Sequence, residues 1–316
     1  MTPRPNFFLI GAPKCGTTSL YTWLKGHPQV FLPETKEPHY MAVLRPDRVI
    51  ERYADYVALY KSALGSGVRA IGDASTTYLH TPGAIEAVRA YSPDAKIVIG
   101  VRNPLQMTRS LHAYKLVRQG EDVEDFEKAW RLSPERQKGR QMPNTTALVD
   151  PFQVAYAEMG LLGRYVARVF ELFPAEQIHI VVFDDVVNDP AKVYAGLLSF
   201  LGLEHDGRTD FTPENVTSGS SGGLVYRIAS HLPRPVIRVL RKLGVGSSGV
   251  ASKLSKTENK TPTERAALRP EFVEEMRTFY RDDVVQLSRL LNRDLSGWTS
   301  SAEDKVAQTA STGIDD

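Results

Sequence analysis

The segment that most restricts the fold is Phe7-Phe8-Leu9-Ile10-Gly11-Ala12-Pro13-Lys14-Cys15-Gly16-Thr17-Thr18-Ser19-Leu20, where an apolar run passes through a glycine-bounded turn into a helical pattern. A short uninterrupted apolar run reads as a strand covered on both faces, the usual state of a strand in a parallel sheet. Comparable runs recur at Ala70 to Gly72, Lys96 to Val101 and Ile178 to Phe183, with a weaker one at Gln29 to Leu32. Helical patterns fall between and after them, at 18–25, 50–64, 82–91, 105–117, 152–173 and 191–201. This alternation predicts an α/β fold: a single domain with a central parallel sheet flanked by helices, and ligands at the carboxyl ends of its strands. A last helix is expected at 270–291, where Phe272, Met276, Phe279, Tyr280, Val284, Leu287 and Leu291 keep helical spacing, closed by Trp298.

The turn after the first strand has chemistry of its own. Such a turn points successive backbone N–H groups inward, and the amides opening the next helix add partial positive charge, so a phosphate or sulfate fits there. In the nucleotide loop G-x-x-x-x-G-K-[ST], lysine follows the second glycine and reaches the β- and γ-phosphates. Here Thr17 follows Gly16, and the only lysine of the turn, Lys14, lies two residues before that glycine. A triphosphate reader would lack its main cation. Cys15, the only cysteine, reads either as a small residue filling the turn or as a reactive thiol.

Composition narrows the class without choosing a function. A chain of 316 residues, 42% hydrophobic and 24% charged, has the balance of a soluble globular protein long enough for one large domain, expected over 1–298. The net charge of +2 decides nothing about polyanions. The absence of interleaved basic and aromatic residues around the anion loops argues against a nucleic-acid partner. One cysteine allows no intramolecular disulfide, no apolar run approaches a spanning helix, and the first strand begins within a few residues of Met1. A bacterial protein of cytoplasmic localisation is the expectation. Residues 219–262 combine Gly/Ser turns with apolar and basic stretches, and read as a mobile flap, a surface touching membrane or acidic substrate, or a solvated amphipathic face. Residues 299–316 lack apolar periodicity and are expected to be a disordered tail.

Three further segments carry chemistry. In Lys96-Ile-Val-Ile-Gly-Val-Arg102-Asn103-Pro104 a strand ends in Arg102, Pro104 opens a helix, and Ser110 follows on the side of Arg102. A guanidinium fork with a nearby hydroxyl makes a second anion site. In Thr35-Lys36-Glu37-Pro38-His39-Tyr40, an extended backbone would point Glu37 and His39 to one side. A carboxylate near cations is suited to take a proton from an attacking hydroxyl. Gly72-Asp73-Ala74-Ser75-Thr76-Thr77-Tyr78 follows another strand, and its Asp73 and Ser75 read as ligand contacts or as helix caps.

The Pro-Lys-x-Gly-Thr-Thr-Ser-Leu turn resembles the 5′-phosphosulfate loop of sulfotransferases that use 3′-phosphoadenosine-5′-phosphosulfate (PAPS), in the branch of the heparan sulfate enzymes and their bacterial relatives. Arg102 with Ser110 resembles that family's 3′-phosphate site, and Lys36-Glu37-Pro38-His39 its Lys-Glu-x-His segment. Val182-Phe183-Asp184-Asp185, Phe200-Leu201-Gly202-Leu203 and Leu290 to Leu295 before Trp298 extend the likeness over most of 6–298. The resemblance implies a P-loop-like sulfotransferase fold and an enzyme that moves the sulfuryl group of PAPS to a hydroxyl or amine, releasing 3′,5′-ADP (PAP). Lys14, Cys15, Gly16, Thr17, Thr18, Ser19, Arg102 and Ser110 would hold the nucleotide. Glu37 would act as base, His39 would share that role or orient the acceptor, and Asp73 and Ser75 would lie beside the acceptor. No metal is implied, because Lys14 and the loop amides would neutralise the leaving oxygen.

Two other classes remain in view. The strand 178–183 ending in Asp184 and Asp185 imitates a magnesium-holding segment of ATP- or GTP-dependent kinases. A nucleotide-binding protein without catalysis is the other. A sugar, a lipid and another small molecule all stay open as acceptor, and an apolar, basic stretch at 224–260 would suit an amphiphile or a peripheral membrane contact.

Overall fold

Alternation along the strands explains the layers. In a strand successive side chains point to opposite faces. Phe8 and Ile10 of the first strand join Ile97 and Ile99 in one core, whereas Phe7 and Leu9 join Val98 and Val181 in another. The sheet is therefore apolar on both sides and needs helices on both. In the computed structural model, which describes residues 3–45, 48–65, 67–145, 149–212 and 267–300, helices cover both faces.

The described elements run β1 (Phe7–Gly11), α1 (Thr17–Lys25), β2 (Val30–Phe31), α2 (Tyr53–Ala58), β3 (Ala70–Asp73), α3 (Ala84–Tyr91), β4 (Lys96–Val101) and α4 (Pro104–Val117). They continue with α5 (Phe126–Arg131), α6 (Ser133–Gln137), α7 (Pro151–Val154), α8 (Tyr156–Met159), α9 (Leu162–Leu172), β5 (Ile178–Val182), α10 (Phe183–Asn188), α11 (Pro190–Leu201) and α12 (Pro270–Leu291). The five strands are all parallel, in the order β2-β3-β1-β4-β5. From β1 the chain goes out to the edge strand β2, comes back to β3 beside β1, and then crosses to β4 and β5 on the other side. The reversal leaves a crevice beside the carboxyl end of β1, the place where open α/β sheets bind ligands. No described helix is long and apolar enough to cross a membrane.

The single helix expected at 152–173 is three helices. The break has a tertiary cause. A Cβ on Gly160 would lie 2.5 Å from the Tyr280 ring, so the chain passes close under α12 at that point. Asp283 of α12 then accepts the N–H groups of Gly163 and Arg164 at 2.7 and 2.8 Å, capping a new helix from a distant part of the chain. The expected helix 50–64 is likewise shorter: α2 is followed by one 3₁₀ turn at Lys61–Ala63. Phe183, expected to end the last strand, opens α10 instead together with Asp184 and Asp185, and α5 is capped by Asp125, which accepts from the Lys128 N–H at 2.8 Å.

The expected flap 219–262 lies outside the described residues, as do 301–316 of the expected tail. Thr299 and Ser300, at the start of that tail, are ordered against the last turn instead: both N–H groups donate to the Ser296 carbonyl at 3.0 Å, and Thr299 is buried.

Candidate active site

The turn between β1 and α1 is shaped by left-handed backbone at Lys14 (φ 66°) and Gly16 (φ 80°). Left-handed residues within a turn bring successive amides to one concave side, the geometry of an anion nest. Gly16 is also pressed from outside, since a Cβ there would lie 3.1 Å from the Phe183 ring. The turn is seated on β4: the Ala12 N–H donates to the Gly100 carbonyl at 2.7 Å, and a Cβ on Gly100 would meet the Cys15 carbonyl at 2.7 Å. No side chain caps the N-terminus of α1, and its first turn carries no acid. Its amides face the cradle, and Thr18 and Ser19 are half-buried at its rim.

Cys15 is fully buried, its Sγ 3.6 Å from the Pro13 carbonyl, and burial pushes its thiol well above the ordinary range. Of its two readings the packing one holds, because a thiol kept protonated away from solvent is a poor nucleophile.

Among the described residues, three cations border the cradle. Lys14 sets its ammonium 4.9 Å from the centre of the Tyr114 ring, a cation–π contact on α4. Arg102, just past β4, donates to the Lys14 carbonyl at 3.3 Å and to Gln106 Oε1 through Nε and Nη2. Its guanidinium also lies 4.1 Å from the centre of the Phe183 ring, so the residue that follows β5 packs against the arginine that follows β4. Ser110 lies in the second turn of α4 and is mostly buried. The third cation, Lys36, donates from Nζ to the Thr18 hydroxyl at 3.1 Å.

The backbone expectation for the Glu37 segment is corrected. Glu37 (φ 55°) and His39 (φ 54°) are left-handed rather than extended. Their side chains meet all the same, with His39 Nε2 3.3 Å from Glu37 Oε2. Glu37 Oε1 accepts from the Thr76 hydroxyl at 3.0 Å, and His39 Nδ1 is 3.2 Å from the Thr77 hydroxyl. Burial would raise the Glu37 carboxyl. The hydrogen bond and charge of His39, the charge of Lys36 and the Thr76 hydroxyl outweigh it, holding the group below its ordinary range. Glu37 is thus a carboxylate, still 34% exposed, beside a buried imidazole.

Asp73 and Ser75 lie beneath this pair, fully buried. Asp73 accepts from Ser75 at 2.7 Å, Tyr56 at 2.8 Å and Tyr78 at 3.0 Å, while Ser75 accepts the His39 N–H and Tyr78 accepts the Met41 N–H, each at 3.1 Å. They hold the backbone of the base segment and cap no helix. Thr76 and Thr77 of that loop meet the side chains of the pair. Sequence reasoning passed over them, although the hydroxyl-rich run 75–77 was a signal. The loop also abuts the cradle, because a Cβ on Gly11 would lie 2.6 Å from the Thr76 carbonyl.

The C-terminal segment locks the rim. Arg293 grips Asp185 through both guanidinium nitrogens, occupying one of the two carboxylates that imitate a magnesium site, and Asn103 donates to the Trp298 carbonyl at 3.4 Å. A separate cavity of about 350 Å³ opens between Trp130, Ser133, Glu158 and Phe279, and none of its lining residues belongs to the cradle.

The family model described as "Sulfotransferase domain" matches residues 4–218. The crystal structure of a sulfotransferase from Alicyclobacillus acidocaldarius superposes with a TM-score of 0.68 at 26% identity, covering 94% of this chain and all of that one. The membrane-associated sulfotransferase kil1 of Dictyostelium discoideum is 25% identical over 280 residues, 67% of this chain and 59% of that protein. Human heparan sulfate glucosamine 3-O-sulfotransferase 6 is 28% identical over 208 residues, 63% of this chain and 53% of that protein. The chain spans little more than half the length of these two curated relatives. A cradle built at the switch point of a parallel sheet, on a chain matched by the model over well more than half its length, places this protein in the sulfotransferase family.

Proposed function

We propose that the protein transfers the sulfuryl group of PAPS to a hydroxyl of a carbohydrate, lipid or other small-molecule acceptor, releasing PAP. The observation that carries this reading is that the anion cradle and the Glu37–His39 pair form one site, joined by the Lys36–Thr18 hydrogen bond. The residues fit the donor. Loop amides at 15–17 and the opening of α1 suit the 5′-phosphate, and Lys14 suits the bridging oxygen. Arg102, pre-oriented on Phe183, suits the 3′-phosphate.

In the transfer the acceptor oxygen forms a bond to sulfur opposite the bridging oxygen, and its proton passes to Glu37. The bond from sulfur to the bridging oxygen breaks, its electron pair stays on that oxygen, and Lys14 with the loop amides neutralises the charge. His39 holds Glu37 in place, and Thr77 holds His39. The likeness to a heparan sulfate enzyme supports a sugar hydroxyl as the first acceptor class to screen.

Calorimetric titration with PAP and with 5′-AMP, both without metal, tests the donor assignment, because the ligands differ only in the 3′-phosphate. PAP is expected to bind at least about tenfold more tightly, the worth of one charge-assisted contact. Equal affinities would overturn the assignment and return the cradle to the nucleotide-kinase reading.

A further inference from the structure

Lys36 belongs to two parts of the site at once. Its ammonium reaches across to the first turn of α1, where it donates to Thr18 at 3.1 Å and lies 5.3 Å from the centre of the Tyr21 ring. Tyr21 in turn donates to the Pro33 carbonyl at 3.0 Å, tying α1 to the segment that leads into Lys36. The next residue is Glu37, whose carboxylate feels the Lys36 charge. The lysine therefore approaches the cradle from the base-bearing side, opposite in origin to Lys14, which stands in the turn itself.

An ammonium has three donors, and Thr18 takes one. The Thr18 hydroxyl, accepting from Lys36, keeps its own proton for an anion in the cradle. In an in-line transfer the sulfuryl group lies between the 5′-phosphate and the acceptor whose proton Glu37 takes. A cation carried on the base segment and anchored at the cradle rim faces that group rather than the nucleoside.

We propose that Lys36 is a specificity-determining residue of the donor site: its ammonium bonds the nonbridging oxygens of a transferable sulfuryl group and so distinguishes PAPS from spent PAP. The inference rests on the PAPS reading above. It also assigns the two lysines separate work. Lys14 answers charge on the leaving oxygen, and Lys36 holds the group in transit close to Glu37. Loss of that group with the product removes the Lys36 contact and favours release of PAP.

The test is the ratio of PAPS to PAP affinity, measured by titration without acceptor for the wild type, Lys36→Met and Lys36→Arg. The methionine variant is expected to bind PAPS about 10–100-fold more weakly, the worth of a charge-assisted hydrogen bond. Its PAP affinity should change by no more than about threefold, the scale of an exposed charge. Arginine should restore most of the PAPS affinity, which a role in packing alone would not require. An unchanged ratio in Lys36→Met, whether both affinities fall together or neither moves, would overturn the inference while leaving the donor reading intact. Failure of the wild type to bind either nucleotide would instead overturn the donor reading, and the inference with it.

Discussion

Glu121 and Glu37 are both carboxylates with a basic partner, and the contrast between their surroundings separates structure from chemistry. Burial would raise both, and bonds to the basic neighbour and nearby donors outweigh it in each, so both are held below the ordinary range. Glu121 and Arg136 have fully buried side chains. Glu121 accepts from both Arg136 nitrogens at 2.6 and 2.8 Å, from Tyr156 at 2.8 Å, and from the N–H groups of Asp122 and Val123 at 3.1 and 3.0 Å. Arg136 also donates to the Val154 carbonyl at 3.1 Å. Nothing is left for a ligand. Glu37 holds one contact on each oxygen, keeps about a third of its side chain exposed, and faces a cradle ringed by cations. A closed pair fixes a loop, while an open pair can exchange a proton.

The largest expected effect breaks the open pair. Glu37→Gln should lower turnover by about 10²–10⁴-fold, the usual contribution of a positioned base, with PAP affinity and the urea midpoint unchanged. Retained turnover in single-turnover assays would move the base to His39.

The closed pair should fail in the opposite way. Arg136→Leu leaves Glu121 charged and buried without its partner, and should destabilise the fold by about 3–5 kcal/mol in urea unfolding, with turnover per folded molecule preserved. Replacing both residues by apolar ones should recover most of that loss. A double variant no more stable than the single one would show that Glu121 organises its loop in some other way.

Asp73 connects the two kinds of region, being closed itself and supporting the open pair. Asp73→Asn deprives three donors, Ser75, Tyr56 and Tyr78, of a charged acceptor, and should cost about 1–3 kcal/mol of stability. Turnover should fall as well, because Ser75 and Tyr78 no longer hold the backbone at His39 and Met41. Lost stability with unchanged kcat would confine Asp73 to packing.

The smallest effect is a shift in pH dependence. With its carboxyl held below its ordinary range, Glu37 is ionised at neutral pH, and the rate should fall only as pH drops through the lowered value. His39 supplies the strongest lowering contributions, so His39→Ala should move the acid limb of kcat/KM to higher pH. An unmoved limb would mean that the two side chains are uncoupled in solution.

Local pattern made much of this legible from sequence. β4 and α12 have the bounds that apolar periodicity predicts, at Lys96–Val101 and Pro270–Leu291. β1, its turn and α1 follow in register, because a buried strand, a glycine-bounded turn and an amphipathic helix are each written in neighbouring residues. The same pattern made Lys14, Glu37, His39 and Arg102 stand out as the charged or titratable groups of short, chemically marked segments.

Periodicity reports that a face is buried and is silent about what buries it. Only the tertiary structure decided that 152–173 breaks under Tyr280 and restarts on a cap from Asp283, more than a hundred residues away. It alone set Asp73 and Ser75 beneath the site, gave Thr76 and Thr77 to Glu37 and His39, and carried Lys36 to Thr18. Each of these depends on a contact between groups remote in sequence, a hydrogen bond or a close approach. A chain writes its donors and acceptors residue by residue, but which of them meet is settled when the sheet brings the loops at its carboxyl edge together.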